Sequence, residues 1–234
     1  MSGAGWPDVA DAVLFDLDGT LLDLPVDIEP VRREVERLLA EAGQGGPARP
    51  LLDAIDRAAA AVARPAGAAA GRELRMRARC LIDIAELVAA RSARPRPGAV
   101  DALARLAGDG MQLSIVTDNG RACLGPALAA AGLDRAPLGA VVTRDDVERP
   151  KPAPDGVVLA ARALCPSGGA IWYAGDSPRD IAAGRAAMEE LGPAFRVRIV
   201  GVAGSRDAEL RRAGPDDLVS DLTAFASLVD ARHR

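Results

Sequence analysis

The sequence predicts an α/β fold in which a parallel sheet, covered by helices on both faces, carries an inserted helical subdomain. Two observations lead to this prediction. Short, continuously apolar runs alternate along the chain with helical patterns, as parallel strands buried on both faces do. Residues 24–96 interrupt the alternation, because they contain helical patterns and no strand candidate.

Six apolar runs are strand candidates, at residues 12–15, 112–116, 140–142, 170–174, 197–202 and 217–219. Helices are predicted between and after them at 98–108, 121–131, 154–164, 178–191, 206–213 and 221–232. Strands that alternate with helices in this way are typical of a doubly wound sheet.

Three helices are predicted within the insertion. The first has Val31, Val35, Leu38 and Leu39 at helical spacing, with Pro30 in its first turn. The second covers 50–63 and ends before Pro65, and the third covers 72–92. The apolar stripe predicted for the third helix is Leu74, Ala78, Leu81, Ala85 and Val88. Residues 24–96 are therefore predicted to form a helical domain, and residues 1–23 and 97–234 the core.

Composition excludes several classes of protein. With 49% hydrophobic and 26% charged residues among 234, the chain is not intrinsically disordered. A net charge of −4 argues against a nucleic-acid-binding surface. The amino-terminal residues do not resemble a signal peptide, and no apolar run is long enough to span a membrane.

The cysteines and the histidine exclude further kinds of site. Cys80, Cys123 and Cys165 lack the spacing of a disulfide framework or a zinc site, and they indicate a reducing, cytoplasmic environment. His233 is the one histidine and stands next to the end of the chain. We expect no catalysis from it, which excludes Ser–His–Asp and Cys–His mechanisms and histidine-ligated metals.

The pattern of basic residues singles out one position. Lys151 is the single lysine, and the other 28 of the 29 basic residues are arginine. Lys151 stands between Pro150 and Pro152, which stiffen the backbone and oppose helix formation. A rigidly held ammonium of this kind can neutralise phosphoryl charge.

The most specific motif is Asp16-Leu17-Asp18-Gly19-Thr20, which follows the first strand. In open α/β sheets ligands bind at the carboxyl ends of the strands. Two carboxylates two residues apart can hold a hard cation, or can divide the roles of nucleophile and proton donor.

Polar residues follow two other strands. Thr117 and Asp118 come after the second strand and before a helix, where a hydroxyl and free backbone N–H groups would form an anion site. Asp176 and Asp180 follow the fourth strand in Gly-Asp-Ser-Pro-Arg-Asp. So many carboxylates must recruit a cation or raise their pKa values, and Mg²⁺ is the natural partner of aspartate oxygens combined with a phosphate.

These motifs, in this order, resemble those of the haloacid dehalogenase-like hydrolase superfamily, in its phosphoglycolate phosphatase-like branch. The resemblance covers essentially the whole chain. It implies a Rossmann-like core, a mobile helical cap and hydrolysis of a small phosphorylated metabolite. It also implies that Asp16 forms an aspartyl-phosphate, while Asp18 acts as general acid and base.

The resemblance further assigns binding roles. Thr117, Asp118 and Lys151 would hold the phosphoryl group, and Mg²⁺ would be bound by Asp16, the Asp18 backbone carbonyl and Asp176. Asp180 is expected to orient Lys151 or metal-bound water.

Other branches of the superfamily fit less well. A dehalogenase lacks an acidic second position, a phosphonate-cleaving member needs a cap lysine, and a sugar phosphomutase typically has a cap histidine or lysine. A phosphomutase or pyrophosphatase, or a phosphate-binding regulatory protein with weak turnover, stays open as an alternative. Five cap arginines are candidates for binding a substrate carboxylate or second phosphate: Arg64, Arg72, Arg75, Arg77 and Arg79. The oligomeric state is left open.

Overall fold

A six-stranded parallel sheet forms the centre of the computed structural model, which describes residues 10–204 and 207–231. Its strands are β1 (Ala12–Phe15), β4 (Gln112–Val116), β5 (Leu138–Val142), β6 (Gly169–Gly175), β7 (Phe195–Val202) and β8 (Asp217–Val219). The spatial order is β5-β4-β1-β6-β7-β8. β1 therefore lies between β4 and β6, and the predicted α/β, Rossmann-like fold class is confirmed.

Helices cover both faces of the sheet, as the continuously apolar strands require. One face packs against α4 (Ala99–Gly108), α5 (Arg121–Ala130) and α9 (Leu222–Ala231). The other packs against α6 (Asp155–Leu164), α7 (Pro178–Leu191) and α8 (Asp207–Ala213). Side chains of β1 alternate between the faces, with Val13 and Phe15 on the first and Leu14 on the second. These helices and strands confirm the predicted elements to within a few residues at each end.

Three helices between the first strand and the rest of the sheet form a smaller apolar core of their own. They are α1 (Ile28–Glu41), α2 (Leu51–Ala66) and α3 (Ala68–Ala90). The predicted end of the second helix was wrong, because α2 continues through Pro65 to Ala66. Gly67, at a φ of 89° that favours glycine, separates α2 from α3.

The predicted apolar stripe of α3 was partly wrong. Leu74 and Ala78 are buried, whereas Val88 is 70% exposed. The buried face continues instead through Ile82 and Glu86. The stripe was misplaced because Glu86, a charged residue, is buried against an arginine that is distant in sequence.

A two-stranded antiparallel pair connects this helical part with the sheet. β2 (Leu22–Asp23) pairs with β3 (Arg94–Pro95), and neither strand was predicted. Both are two residues long, which is too short to show a periodicity.

His233 and the outer ends of the predicted helices at 206 and 232 lie outside the described residues. Within residues 10–204 and 207–231, no helix has the length and apolar character needed to cross a membrane.

Candidate active site

The carboxyl ends of β1, β4 and β6 surround one pocket. Its lining includes all seven predicted site residues: Asp16, Asp18, Thr117, Asp118, Lys151, Asp176 and Asp180. Residues of the three inserted helices α1, α2 and α3, which we call the cap, line the opposite side, among them Ile28, Leu51 and Ile82. The space is about 240 Å³, which suits a small ligand.

A tight turn after β1 brings Asp16 close to Asp176. Gly19 has a φ of 88°, which favours glycine. A Cβ at Gly19 would lie 2.5 Å from Oδ2 of Asp176, so a larger residue would displace that carboxylate. Gly19 therefore permits the tight turn, and it also leaves room for Asp176, the residue that follows β6.

Lys151 lies at the centre of the site. Its Nζ donates to Oδ1 of Asp16 at 2.6 Å and to Oδ1 of Asp180 at 2.7 Å. Its backbone N–H donates to Oδ1 of Asp118 at 3.0 Å. Lys151 is 5% exposed, so both ends of the residue are fixed inside the protein.

Asp180 is positioned by the start of α7. Ser177 caps this helix, and its hydroxyl and backbone N–H donate to Oδ2 of Asp180 at 2.6 and 3.0 Å. Oδ1 of Asp180 accepts from Lys151 and, at 3.0 Å, from the Tyr173 hydroxyl. Both oxygens of Asp180 are therefore occupied, and one of them contacts the Lys151 ammonium.

The charges in this cluster shift one another's pKa values. Burial, together with Asp180 and Asp176, raises the pKa of Asp16 well above its usual range, although Lys151 acts in the opposite direction. Burial would lower the pKa of Lys151, but the carboxylates of Asp16 and Asp180 raise it. Burial opposes ionisation of Asp180 as well, yet Lys151 and the hydrogen bonds from Ser177 and Tyr173 hold its pKa below the usual value.

Asp18 lies at the pocket entrance and has a different environment. Its Oδ1 accepts from the backbone N–H of Leu24 at 2.8 Å. Although Asp18 is an exposed residue, the surrounding protein removes part of the water around its carboxyl group. This desolvation raises the pKa of Asp18 to about 6. A carboxyl with that pKa can hold and release a proton near neutral pH.

Three carboxylates could hold a divalent cation. Oxygens of Asp16, Asp176 and Asp180 lie within 4.8 Å of one another, and all three residues are buried. The donors are oxygens alone, as hard cations prefer. Burial is the largest cause of the raised pKa of Asp16, and a bound cation would favour the ionised form that burial opposes. The residues therefore fit a divalent metal, and both oxygens of Asp180 already accept hydrogen bonds.

The expectation of free backbone N–H groups after Thr117 was wrong for residues 119–121. The N–H groups of Asn119, Gly120 and Arg121 donate to Thr117 Oγ1, Glu86 Oε2 and Asp145 Oδ2. The Thr117 hydroxyl donates to Oδ1 of Asn119 at 2.8 Å. In this structure the loop is tied to protein carboxylates, and Thr117 must turn its hydroxyl to meet a ligand.

Sequence reasoning missed two residues beside this loop, Glu86 and Arg144. Oε1 and Oε2 of Glu86 accept from Arg144 at 2.8 and 2.9 Å, and Arg144 also pairs with Asp83. Arg144 donates to the backbone carbonyl of Asp118 at 2.7 Å. Glu86 is 5% and Arg144 1% exposed. The one signal in the sequence was a charged residue on an otherwise apolar helix face.

Arg179 is a further cation in the pocket, beside Lys151 and Arg144. Its guanidinium donates to both oxygens of Asp53, on α2, at 3.1–3.2 Å. It also lies 3.5 Å from Oδ2 of Asp118, and 29% of its side chain is exposed. Arg179 therefore connects the cap to the core and still meets solvent.

The five cap arginines singled out from the sequence are placed elsewhere. None of them belongs to the described pocket lining. Arg75 and Arg79 pair with Asp56, at 2.8 and 3.3 Å. Their position does not support the candidate role of binding an anionic substrate group.

Comparisons with known proteins agree with this geometry. A sequence model of the haloacid dehalogenase-like hydrolases matches residues 10–187. A phosphoglycolate phosphatase of Cupriavidus necator is 32% identical over 231 residues, covering 93% of this chain and 92% of that protein.

Solved structures share the fold. A hydrolase from Pseudomonas syringae matches with a TM-score of 0.67 and 25% identity, over 94% of this chain and 98% of its own. A predicted phosphoglycolate phosphatase from Haemophilus somnus matches with a TM-score of 0.60 and 19% identity, over 96% and 99% of the two chains. The protein therefore belongs to the haloacid dehalogenase-like hydrolase family.

Proposed function

We propose that this hydrolase is a Mg²⁺-dependent phosphatase that acts on a small phosphate monoester through an aspartyl-phosphate. The observation that carries the proposal is the buried group formed by Asp16, Lys151 and Asp180, with Asp176 beside it. A carboxylate held against an ammonium, at the end of a strand and open to a small pocket, is arranged for attack on phosphorus.

In the first step an Asp16 oxygen attacks the phosphorus atom, and the bond between phosphorus and the ester oxygen breaks. Asp18 gives its proton to the departing alkoxide, as a pKa of about 6 permits near neutral pH. In the second step Asp18 takes a proton from water, which attacks phosphorus and releases phosphate from Asp16. Lys151 and the Thr117 hydroxyl bind the phosphoryl oxygens in both steps.

Asp16, Asp176 and the Asp18 backbone carbonyl would hold Mg²⁺, which supplies charge neutralisation for the phosphoryl group. Asp180 keeps Lys151 protonated and oriented. Asp118 fixes the backbone of Lys151, while Asp16 and Asp180 hold its ammonium.

The pocket favours a small substrate with a second anionic group. A space of about 240 Å³ favours a small leaving group. Arg179 is partly exposed in the pocket and could bind a carboxylate in place of Asp53. The relative from Cupriavidus necator is named for phosphoglycolate, which has such a carboxylate. We therefore propose phosphoglycolate-like monoesters as the substrate class.

Phosphate release from a panel of monoesters tests the proposal. The panel compares phosphoglycolate with monoesters of similar size and neutral leaving groups, for the wild-type protein and for Asp16→Asn. We expect turnover with Mg²⁺ by the wild-type protein only, and the highest kcat/KM for the carboxylate-bearing esters. Equal turnover by Asp16→Asn contradicts the mechanism, and a preference for neutral esters contradicts the substrate class.

A further inference from the structure

Helix α3 has a second apolar face, which the rest of the described chain leaves exposed. Its members are Met76, Cys80, Ile84, Leu87 and Val88, and we call them the outer face of α3. Met76 is 66%, Ile84 57% and Val88 70% exposed. A helix that is apolar on both sides is typically covered on both sides.

The outer face has the spacing of a helix–helix seam. Cys80, Ile84 and Leu87 continue a stripe of exposed positions at intervals of four and three, which charged residues extend at 73, 77 and 91. Intervals of this kind keep a stripe of side chains turned toward a single neighbouring helix. The seam spans almost the whole of α3, which runs from Ala68 to Ala90.

The same face is largely symmetric about Ile82. Met76 and Val88 stand at equal distances before and after it, and so do Cys80 and Ile84, whereas the counterpart of Leu87 is the exposed Arg77. At the two ends, Glu73 and Arg91 also stand at equal distances, and both are exposed. In an antiparallel pair of α3 helices, these apolar positions therefore face apolar positions of the other helix. The acidic Glu73 of one helix faces the basic Arg91 of the other.

We propose that the outer face of α3 binds the outer face of a second copy of this chain, with the two helices antiparallel. A two-fold axis at the height of Ile82, on the opposite and exposed side of α3, then places Glu73 of each copy opposite Arg91 of the other, as an isologous contact requires. A parallel arrangement would set Glu73 against Glu73 and Arg91 against Arg91, which is unfavourable. The pattern of charges thus favours a second copy of this chain as the partner, with its α3 antiparallel.

The area buried between the two α3 helices indicates how stable the dimer would be. A helix of this length measures about 35 Å, and a pair of such helices buries less than the ~800 Å² per partner of a standard interface. The dimer is therefore expected to dissociate on dilution, and association has to be followed over a wide range of protein concentration.

Sedimentation velocity of the full chain, at increasing concentration, is the first test. We expect a reversible monomer–dimer equilibrium. Ile84→Lys, at an exposed position where circular dichroism should show no change of fold, is expected to raise the dissociation constant at least about tenfold, because an ammonium would enter the apolar seam. A monomer at every concentration overturns the proposal, and so does a dimer that Ile84→Lys does not weaken.

A charge-reversal cycle tests the direction of the helices. Glu73→Arg alone should weaken the dimer severalfold, and Glu73→Arg combined with Arg91→Glu should restore it. Loss of affinity without restoration contradicts the antiparallel arrangement.

Cross-linking gives an independent measurement. In the antiparallel pair the two Cys80 residues lie about 6 Å apart along the helix axes, within reach of a short bismaleimide. Cys123 and Cys165 are buried, so Cys80→Ser is a clean control. The reagent should join wild-type chains and not the control, whereas absence of a Cys80-linked dimer overturns the proposal.

Discussion

At the scale of single residues, the site depends on how firmly Lys151 is held. Asp16 and Asp180 bind its ammonium, and Asp118 binds its backbone. Because the cavity is shaped for a compact ammonium, the planar guanidinium of Lys151→Arg should not fit. We expect kcat to fall by roughly 10²–10³, the scale associated with loss of one charge-stabilising donor. Steady-state kinetics check this, and a fully active Arg variant would show that Lys151 is not the phosphoryl clamp.

Gly19 gives a second residue-scale prediction. A Cβ there would meet the Asp176 carboxylate, and the positive φ adds strain. Gly19→Ala should therefore raise the Mg²⁺ concentration that gives half-maximal activity by at least about tenfold. The matched control is Gly43→Ala, at another positive φ but with nothing within 4 Å of its Cβ. An unchanged metal requirement in Gly19→Ala would contradict the placement of Asp176 as a ligand.

At the scale of elements, the loop after β4 is held by a helix of the cap. Glu86 of α3 accepts hydrogen bonds from Asn119, Gly120 and Arg144. Glu86→Ala would leave Arg144 buried with its charge poorly compensated, and should lower the free energy of unfolding by about 3 kcal/mol. Urea denaturation measures this. Glu34→Ala, in an exposed ion pair of α1, is the control and should cost less than about 1 kcal/mol.

The same helix shows what the sequence could and could not predict. The apolar runs of β1, β4 and β6 predicted the strands because each run is too short for a buried helix and ends at turn-forming residues. On α3 two apolar faces compete, and periodicity alone cannot tell which one meets the core. The ion pair with Arg144 places Glu86 on the inner face of α3. Because the two residues are far apart in sequence, no local sequence pattern reveals this pair.

At the scale of the whole molecule, the order of the strands assembles the site. β1 lies between β4 and β6, so motifs far apart in sequence meet at one edge. Strand-end placement was enough to predict that Asp16, Thr117 and Asp176 come together. The role of Arg179 was missed because its partner Asp53 belongs to the helical insertion, whose orientation is fixed by tertiary packing.

Metal dependence is the prediction at this scale. EDTA should abolish activity and Mg²⁺ should restore it, with Ca²⁺ a poor substitute because its longer, looser coordination misaligns the attack. Mg²⁺ should also raise the melting temperature, since it relieves repulsion among buried carboxylates; saturation at a hundredfold excess over the dissociation constant adds about 2.7 kcal/mol. Asp176→Asn should lose most of this thermal shift. Full activity in EDTA would contradict the metal site.

The covalent step at Asp16 is the central claim, and chemical trapping tests it most directly. The protein, turning over p-nitrophenyl phosphate with Mg²⁺, is quenched and treated with borohydride, which reduces an acyl phosphate to an alcohol. Peptide mass spectrometry should then find homoserine at position 16 in place of aspartate, and only when substrate was present. Unmodified Asp16 during demonstrated turnover, or reduction at any other carboxylate, would contradict the account.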